Sequence, residues 1–302
     1  MQLVASIKQQ LKADQYLHVI VNDGSTDNTT EILKQYAARD ANIVLINQKH
    51  HDGTYAFNLG IDVSIGPEAH EYLLGENNFR KIVKLNAQFI MFIGTDDLVG
   101  PGLANRLEAC RLSSDYKLFL GDYRSFIGDE PYSRKEFTPY ASNPESLFKK
   151  LFYVENFPSH TIIWKKDFLQ ELKKLRGYDM GIIDPQILSP QAWDLMLYTT
   201  KLAIIRNYRF GFIKGNTGYK RYGISGTMTE KNRKAGRYLK ERELVFHRYK
   251  DFAADNKVVM LDKRPPLNHK YFKPLKKEDK KEFDSYLSKV FIYTSKLAQN
   301  YL

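Results

Sequence analysis

Cysteine is nearly absent from this sequence, since Cys110 is the single one among 302 residues. One cysteine excludes a disulfide framework and a zinc site built from cysteines. Long apolar runs are missing as well, because the longest, such as Phe89–Ile93, are far shorter than the roughly 20 residues that cross a bilayer. The first residues, Met1–Leu11, are interrupted by polar side chains and lack the apolar core of a signal peptide. These absences favour a soluble, cytoplasmic protein.

Aromatic residues make up 13% of the chain, and this share favours a packed core over disorder. Basic residues outnumber acidic ones by 46 to 35, which gives a formal charge of +11. Between Glu230 and Leu302 there are 19 Lys or Arg against 10 Asp or Glu, so most of the excess lies in the last quarter. Aromatic residues recur there at helical spacing, which indicates a packed face, so we predict no nucleic-acid partner. The basic faces of 230–302 are then either solvated or in peripheral contact with an anionic membrane at its inner face.

Helical and strand patterns alternate along the first two-thirds of the chain. The expected helices are Leu3–Leu11, Asn28–Ala38 and one ending at Phe57–Val63, and the expected strands are Tyr16–Val21, Ile43–Ile46 and a fully buried Phe89–Ile93. This rhythm predicts an α/β fold with a mostly parallel sheet and helices on both faces. The polar residues at about 67–87 suggest an insertion. Basic helices at Ala235–Phe252 and Lys277–Gln299 follow a domain boundary near Met228.

The most specific motif is the turn Asn22–Asp27, with the sequence Asn-Asp-Gly-Ser-Thr-Asp, directly after the first strand. Open α/β sheets bind ligands at the carboxyl ends of their strands. Asp23 could accept hydrogen bonds from a base or ribose, and Gly24 allows a close approach of the backbone. The alternative is that Ser25 or Asp27 only caps the next helix.

Two adjacent carboxylates, Asp96 and Asp97, follow the strand pattern of Phe89–Ile93. Burying them is costly unless a cation or hydrogen-bond donors meet them. Mn²⁺ or Mg²⁺ takes oxygen ligands and is commonly shared with phosphates, so a divalent metal is one explanation. A helix cap before Pro101 is the other.

Together the two motifs resemble the family 2 glycosyltransferases with the GT-A fold, a Rossmann-like sheet flanked by helices, over roughly residues 1–228. Weaker matches follow in the family's order: Gly53–Ile61, Gly177–Asp179, Gln191–Leu195 and Tyr219–Ser225. The resemblance implies a GT-A domain at 1–228 and a basic helical extension at 229–302. It implies nucleotide contacts from Asn22, Asp23, Gly24, Ser25, Asp27 and Asp96, and a metal on Asp96 and Asp97. It further implies that Lys220 and Arg221 clamp the diphosphate, with simple solvation as the alternative, and that His160 and Trp193 lie on the acceptor side.

The departures from the family pattern concern catalysis and the start of the fold. Gln191-Ala192 replaces the Glu-Asp pair whose aspartate is the family's general base. Asp194 is the nearest carboxylate and our candidate base, but two helical positions turn its side chain about 200° away, which favours a structural role. Asp184 and Asp179 are looser candidates. The family's first strand is also missing, because the sequence starts in the helix that follows it.

The resemblance implies inverting, metal-assisted transfer of a sugar from a nucleotide-diphosphate donor, most simply a UDP-sugar. The acceptor would be a glycan or a lipid-linked glycan, in polysaccharide or glycoconjugate assembly. One alternative is a degenerate homologue that binds nucleotide or glycan, or scaffolds partners, without transfer. The other is a chain truncated at its start.

Overall fold

The computed structural model describes residues 2–127, 130–133, 143–153, 159–177, 181–188, 191–222, 234–257, 273–274 and 277–301. Its helices are α1 (Gln2–Lys8), α2 (Thr29–Arg39), α3 (Gly53–Ile65), α4 (Glu71–Leu85), α5 (Leu103–Arg111), α6 (Pro144–Tyr153), α7 (Lys166–Arg176), α8 (Gln191–Arg206), α9 (Arg237–Asp255) and α10 (Lys277–Tyr301). Its strands are β1 (His18–Asp23), β2 (Ile43–Gln48), β3 (Phe89–Ile90), β4 (Leu98–Val99), β5 (Tyr116–Ile127), β6 (Glu130–Ser133), β7 (Ile162–Lys165), β8 (Arg209–Tyr222) and β9 (Lys273–Pro274).

The first two strands form a small parallel sheet of their own. β1 and β2 are in register from His18 opposite Ile43 to Asp23 opposite Gln48. Helix α2 connects them, because parallel strands need a crossover and not a tight turn. The predicted strands and the predicted helix between them are therefore confirmed.

The remaining seven strands form a second sheet, in the order β3-β7-β5-β6-β9, with β8 paired to both β5 and β4. Only the β5–β8 ladder is parallel among those described in this sheet, and the others are antiparallel. The α/β class with flanking helices is confirmed, whereas the expectation of a mostly parallel sheet is replaced by mixed sheets. Two residues separate β5 from β6, and such a short connection permits only antiparallel pairing.

The predicted strand Phe89–Ile93 is shorter than expected. Only Phe89 and Ile90 form a ladder, with Lys165 and Trp164 of β7, and residues 91–93 extend beyond it. Phe92 is buried, while the other four side chains are half-buried. The prediction of a fully buried strand was wrong, because a cleft and not a neighbouring strand borders this segment.

The main core surrounds Trp164 and Trp193 and includes Phe148, Phe152 and, from α9, Tyr249. A second cluster joins α10 to the rest of the chain: Ala5, Leu98, Phe126, Tyr219, Phe283, Tyr286, Leu287 and Val290. The aromatic faces of the basic segment are therefore packed, as predicted. The boundary near Met228 lies outside the described residues and stays a prediction.

The proposed insertion contains α4, which is kinked at Gly75 and packs Leu74 and Ile82 against Val44 and Ile46 of β2. Whether residues 67–87 are an insertion stays a prediction. Within the described ranges, every helix is too short or too polar to cross a membrane.

Candidate functional site

A cleft of about 1770 Å³ separates β1 from the segment Phe89–Ile93. One part of its lining is polar: Asn22, Asp23, Ser25, Asp96, Asp97, Lys220 and Arg221. Asn22, Asp23 and Ser25 lie at the end of β1 and in the turn after it. Asp96 and Asp97 lie in the loop after β3, and Lys220 and Arg221 lie on β8. The structure thus brings together the two motifs that the sequence separates by about 70 residues, together with the predicted basic pair.

Asn22 organises the turn that follows β1. Its side chain is buried and donates to Thr30 Oγ1 at 2.8 Å and to Asn47 Oδ1 at 3.0 Å. Its oxygen accepts from the hydroxyl of Ser25 at 2.6 Å and from the Ser25 amide at 3.3 Å. These bonds satisfy both ends of the amide, so Asn22 shapes the turn from behind and Ser25 is held in place at the cleft.

Asp23 is the carboxylate that the turn presents to the cleft. One of its oxygens accepts from Gln48 Nε2 at 2.6 Å and from the His51 amide at 3.0 Å. The other lies 3.0 Å from His50 Nδ1. No sequence pattern predicts this contact of His50 and His51 with Asp23. Only the parallel register of β1 and β2 brings this loop beside the turn.

Gly24 cannot be replaced without strain. Its φ of +69° lies in the left-handed region, and an added Cβ would meet the His50 nitrogen at 2.6 Å. The close approach of the backbone predicted at Gly24 is therefore made to the His50 loop of the same chain.

Asp27 is exposed and serves the helix that follows. Its carboxylate accepts from the Thr29 amide at 3.0 Å, and its hydrogen bonds to Thr29 lower the pKa of Asp27. Asp27 therefore binds the first amide of α2, although the N-cap residue of this helix is Asn28, whose side chain makes no cap hydrogen bond. Its predicted nucleotide contact remains a prediction.

Asp97 is buried and already engaged. Its Oδ1 accepts from the Arg221 amide at 3.1 Å, and its Oδ2 lies 3.1 Å from His160 Nδ1. Burial alone would raise the pKa of Asp97, but the interactions with His160, Lys220 and the Arg221 amide hold it below its usual value. Asp97 therefore ties the loop after β3 to β8 as an ionised group.

Asp96 is exposed to the cleft and differs from its neighbour. Partial burial and the charge of Asp97 raise the pKa of Asp96, while Lys220 and Arg221 pull it in the opposite direction. A Cβ at Gly94 would lie 2.9 Å from Asp96 Oδ1, so glycine at position 94 leaves space for this carboxylate.

Lys220 and Arg221 are half-buried and lie at the same end of the cleft. The Arg221 guanidinium lies 4.8 Å from the centre of the Phe126 ring and donates to Gln2 Oε1. Asp96 therefore lines the cleft close to the positive charges of Lys220 and Arg221. Such a cluster can bind an anion, a cation, or a cation together with an anion.

Asp194, our candidate base, is structural. It is fully buried on α8 and pairs with Arg176 at 2.6 Å and with Arg248 at 2.8 Å. The Tyr249 hydroxyl adds a hydrogen bond at 3.1 Å. The prediction of a catalytic Asp194 was wrong, because the rotation along the helix points it into the core and away from the cleft. Asp184, a looser candidate, is likewise buried and pairs with Arg248.

Gln191 and Ala192, where the resemblance implies the base, do line the cleft. The Gln191 amide donates to Thr54 Oγ1. Trp193 is 2% exposed and uses its indole N–H to bind the carbonyl of Leu151 at 2.7 Å. Trp193 therefore mainly packs the core.

Trp193 also lines the cleft, whereas His160 does not, since it is fully buried behind Asp97. The prediction that its side chain lies on the acceptor side was wrong. Gly218 packs so closely that an added Cβ would meet His160 Cδ2 at 2.3 Å. Asp179 lies outside the described residues.

The described residues contain no group of three or more His, Cys, Asp or Glu side chains that could hold a metal. Asp97 is engaged by His160 and Arg221, which leaves Asp96 as the carboxylate that can meet a cation at this end of the cleft. Mg²⁺ is usually bound through one or two carboxylates together with substrate phosphates. The residues therefore fit a cation that arrives with a diphosphate.

The family model "Glycosyl transferase family 2" matches residues 2–74. The uncharacterized glycosyltransferase YibD of Escherichia coli (strain K12) is 30% identical over 97 residues, 32% of this chain and 22% of that protein. The poly(ribitol-phosphate) beta-glucosyltransferase of Bacillus spizizenii is 27% identical over 169 residues, 51% of this chain and 24% of that protein. Among solved structures, S. aureus TarS 1–349 in complex with UDP-GlcNAc has a TM-score of 0.47 at 13% identity and covers 96% of this chain and 68% of that one.

This chain spans about a quarter of the length of the two curated relatives. The match of the family model includes β1, the turn Asn22–Asp27 and α3, so the resemblance is confirmed for residues 2–74. The later motifs, including Asp96 and Tyr219–Ser225, lie beyond that match.

Proposed function

We propose that this chain, which matches the model of glycosyl transferase family 2 over residues 2–74, is a glycosyltransferase. It would transfer a sugar from a nucleoside-diphosphate donor to a glycan or lipid-linked acceptor. The donor class that we favour is a UDP-sugar. One observation carries the proposal: the turn after β1, the Asp96 carboxylate and the Lys220–Arg221 pair line one cleft, and Lys220 and Arg221 lie close enough to Asp96 to act on its charge. Each group has a chemistry that suits a different part of such a donor.

The turn suits the nucleoside part of the donor. Asp23 is held by Gln48, His50 and the His51 amide, so its carboxylate is fixed before a ligand arrives. A fixed carboxylate that accepts hydrogen bonds from a ribose or a base loses little conformational entropy on binding.

The basic pair suits the diphosphate. Arg221 is anchored by Phe126 and Gln2, and its backbone is anchored by Asp97. Lys220 and Arg221 would offset the negative charge that builds on the diphosphate as it leaves. A divalent cation, when bound through Asp96, would supply further charge compensation for the same leaving group.

The transfer itself would invert the anomeric carbon. An acceptor hydroxyl oxygen would bond to that carbon while the bond to the diphosphate oxygen breaks, and a base would take the hydroxyl proton. Asp194 and Asp184 are buried in ion pairs and are excluded from this role. Asp179 is the remaining candidate that the sequence offers.

Binding of nucleoside diphosphate is the first test. The chain is titrated with UDP, GDP and TDP, with and without Mn²⁺, by calorimetry. We expect binding of UDP that is tighter with Mn²⁺, because Asp96 and the diphosphate would share the cation. Absence of metal-dependent binding for all three nucleotides would overturn the proposal.

Binding without transfer is the second candidate function, and Gln191 with Ala192 on the cleft wall favours it. The variant Ala192→Asp places a carboxylate where the resemblance implies the base. If the chain is degenerate, sugar transfer or donor hydrolysis should rise in Ala192→Asp, by up to the roughly 10²–10⁴ that a general base contributes. Wild-type transfer that the variant does not improve would instead indicate a base elsewhere.

We further propose that the protein is cytoplasmic and makes peripheral contact with an anionic membrane. The exposed side of α10 carries Lys277, Lys281 and Lys289, the exposed carboxylates Glu278, Glu282 and Asp284, and the exposed apolar residues Phe291 and Ile292. Basic and apolar residues on one helix surface suit an anionic lipid interface. The test is sedimentation with phosphatidylglycerol vesicles at low salt, where Lys281→Glu/Lys289→Glu should reduce binding. No binding by the wild type removes the membrane contact.

A further inference from the structure

A small side pocket adjoins the cleft. This side pocket is a cavity of about 40 Å³. It shares five lining residues with the cleft: Phe57, Phe92, Ser159, Gln191 and Ala192. These five residues lie between the two spaces, and we name them the rim. A molecule bound in the cleft can therefore reach the side pocket with a small substituent.

The interior of the side pocket is apolar except for one side-chain group. Its lining residues beyond the rim are Ile162, Trp164, Ile183, Leu195 and Met196. Trp164 is fully buried, and its indole N–H has no hydrogen-bond partner among the described residues. A buried indole N–H usually finds a partner, as that of Trp193 does in the carbonyl of Leu151 at 2.7 Å. The fold thus leaves one donor unused in the wall of the side pocket.

The size and chemistry of the side pocket suit an acetyl group. A cavity for one water measures at least about 10–15 Å³, so a cavity of about 40 Å³ has room for about three non-hydrogen atoms. Water suits it less, because a buried water needs two to four polar partners and the described interior offers only the Trp164 side chain. The methyl of an acetyl group would pack against the apolar wall, and its carbonyl oxygen would accept from the indole N–H.

The rim suits the amide nitrogen of an acetamido group. Ser159 and Gln191 carry side-chain oxygens, and such oxygens can accept a hydrogen bond from an amide N–H. Gln191 is held in place, because its amide group donates to Thr54 Oγ1. An acetamido group on a sugar in the cleft would therefore place its N–H at the polar rim and its acetyl part in the apolar interior.

The position of the rim favours the donor sugar over other sugars. Phe92 lies four residues before Asp96 in the same segment. Ser159 directly precedes His160, whose Nδ1 lies 3.1 Å from Asp97 Oδ2. The rim is thus close to the loop at which the proposed donor would hold its diphosphate. A sugar that is covalently bonded to this diphosphate must lie near the same loop.

We propose that the side pocket binds the acetamido group of the donor sugar, so that the donor is a nucleoside-diphosphate acetamido sugar and not a simple hexose donor. This inference rests on the proposed function, because it assigns one part of the same donor. Trp164 is the specificity-determining residue. A donor with a hydroxyl in place of the acetamido group would leave the Trp164 N–H unpaired, and a site that hydrogen-bonds a group rejects analogues that lack it.

Nuclear magnetic resonance of the indole N–H groups tests this hydrogen bond directly. The chain contains two tryptophans, so an isotope-labelled sample gives two indole signals, and Trp164→Phe assigns them. UDP-N-acetylglucosamine should move the Trp164 signal downfield, because its N–H gains an acceptor. The Trp193 signal should move less, because its N–H already donates to Leu151. UDP-glucose should leave the Trp164 signal in place.

Calorimetry gives the size of the effect. UDP-N-acetylglucosamine should bind at least about tenfold more tightly than UDP-glucose. Leu195→Phe adds bulk to the side pocket and should abolish this preference, and Trp164→Phe removes the donor without adding bulk and should reduce it. Leu169→Phe is the matched control, because Leu169 belongs to the same core but does not line the side pocket, and it should keep the preference.

Equal affinities for the two donors, or a Trp164 signal that moves equally with both, would overturn the proposal. A preference that survives in both Leu195→Phe and Trp164→Phe would also overturn it, because the acetamido group would then bind elsewhere.

Titrations with UDP alone and with N-acetylglucosamine alone separate this inference from the proposed function. If UDP does not bind but N-acetylglucosamine moves the Trp164 signal, the side pocket is supported and the nucleotide site is refuted. If UDP binds but neither acetamido compound moves the Trp164 signal, the side-pocket proposal is refuted and the nucleotide site is supported. No binding of UDP and no movement of the signal would refute both.

Discussion

Asp96 and Asp97 are neighbours in sequence, but their surroundings divide the work between them. Asp97 is bound by His160 and by the Arg221 amide, and Asp96 is exposed to the cleft. Two identical side chains thus differ in their surroundings, since one is anchored and the other is exposed to the cleft. The sequence shows that the two aspartates are adjacent. It does not predict that His160 is the partner of Asp97, because His160 lies on a distant segment and no sequence pattern connects the two residues.

Asp194 gives a prediction about stability at the same scale. Asp194→Ala removes the partner of two buried or partly buried arginines, Arg176 and Arg248. An uncompensated buried charge costs about 3–5 kcal/mol, so we expect the free energy of unfolding to fall by that amount. Urea denaturation measures it, with the exposed Asp14→Ala as the control. A loss below about 1 kcal/mol would contradict the structural role.

Gly24 gives a second prediction. Gly24→Ala forces an alanine into the left-handed region and brings its Cβ to 2.6 Å from the His50 nitrogen. We expect a cost of at least about 1–2 kcal/mol in unfolding free energy and weaker binding of UDP, because the turn must shift. The matched control is Gly53→Ala, where an added Cβ meets nothing within 4 Å. Equal effects of the two substitutions would refute this account of the turn.

At the level of secondary structure, local signals were sufficient where neighbours along the chain form the ladder. β1, α2 and β2 follow one another and match the predicted periodicities. The segment Phe89–Ile93 has an equally clear apolar pattern, yet only two of its residues form a strand. A strand needs a partner on its edge, and the sequence pattern alone contains no information on whether that partner is present.

Helix α10 gives a prediction about an element. It buries Phe283 and Val290 fully and contributes Tyr286, whose hydroxyl donates to the Val99 carbonyl. Deleting residues 277–302 would expose their partners Leu98, Phe126 and Tyr219. We therefore expect increased binding of a hydrophobic dye and a lower unfolding midpoint.

An independent extension would behave differently. If the shortened chain unfolds at the same midpoint as the full chain and binds no more dye, α10 is dispensable for the fold. The double variant Lys281→Ala/Lys289→Ala is the control, since both lysines are exposed and their removal leaves the packed face intact.

For the whole molecule, the resemblance predicted which motifs would meet, and the two sheets explain how. The turn after β1 and the loop carrying Asp96 belong to different sheets, and the cleft between those sheets is where they face each other. The failed prediction of Asp194 has the same origin in long-range packing. Its partners Arg176 and Arg248 lie 18 and 54 residues away, so their contact depends on the assembled fold.

The most direct test of the central claim is the affinity for UDP in Asp96→Asn, measured by calorimetry with and without Mn²⁺. We predict that the wild type binds UDP more tightly with Mn²⁺ and that Asp96→Asn loses most of this difference, since a neutral amide oxygen binds a hard divalent cation more weakly than a carboxylate does. The control Glu76→Gln removes an exposed carboxylate of α4 and should keep the difference. An equal Mn²⁺ effect in the wild type and Asp96→Asn would contradict the assignment of Asp96 and of this cleft end as the donor site.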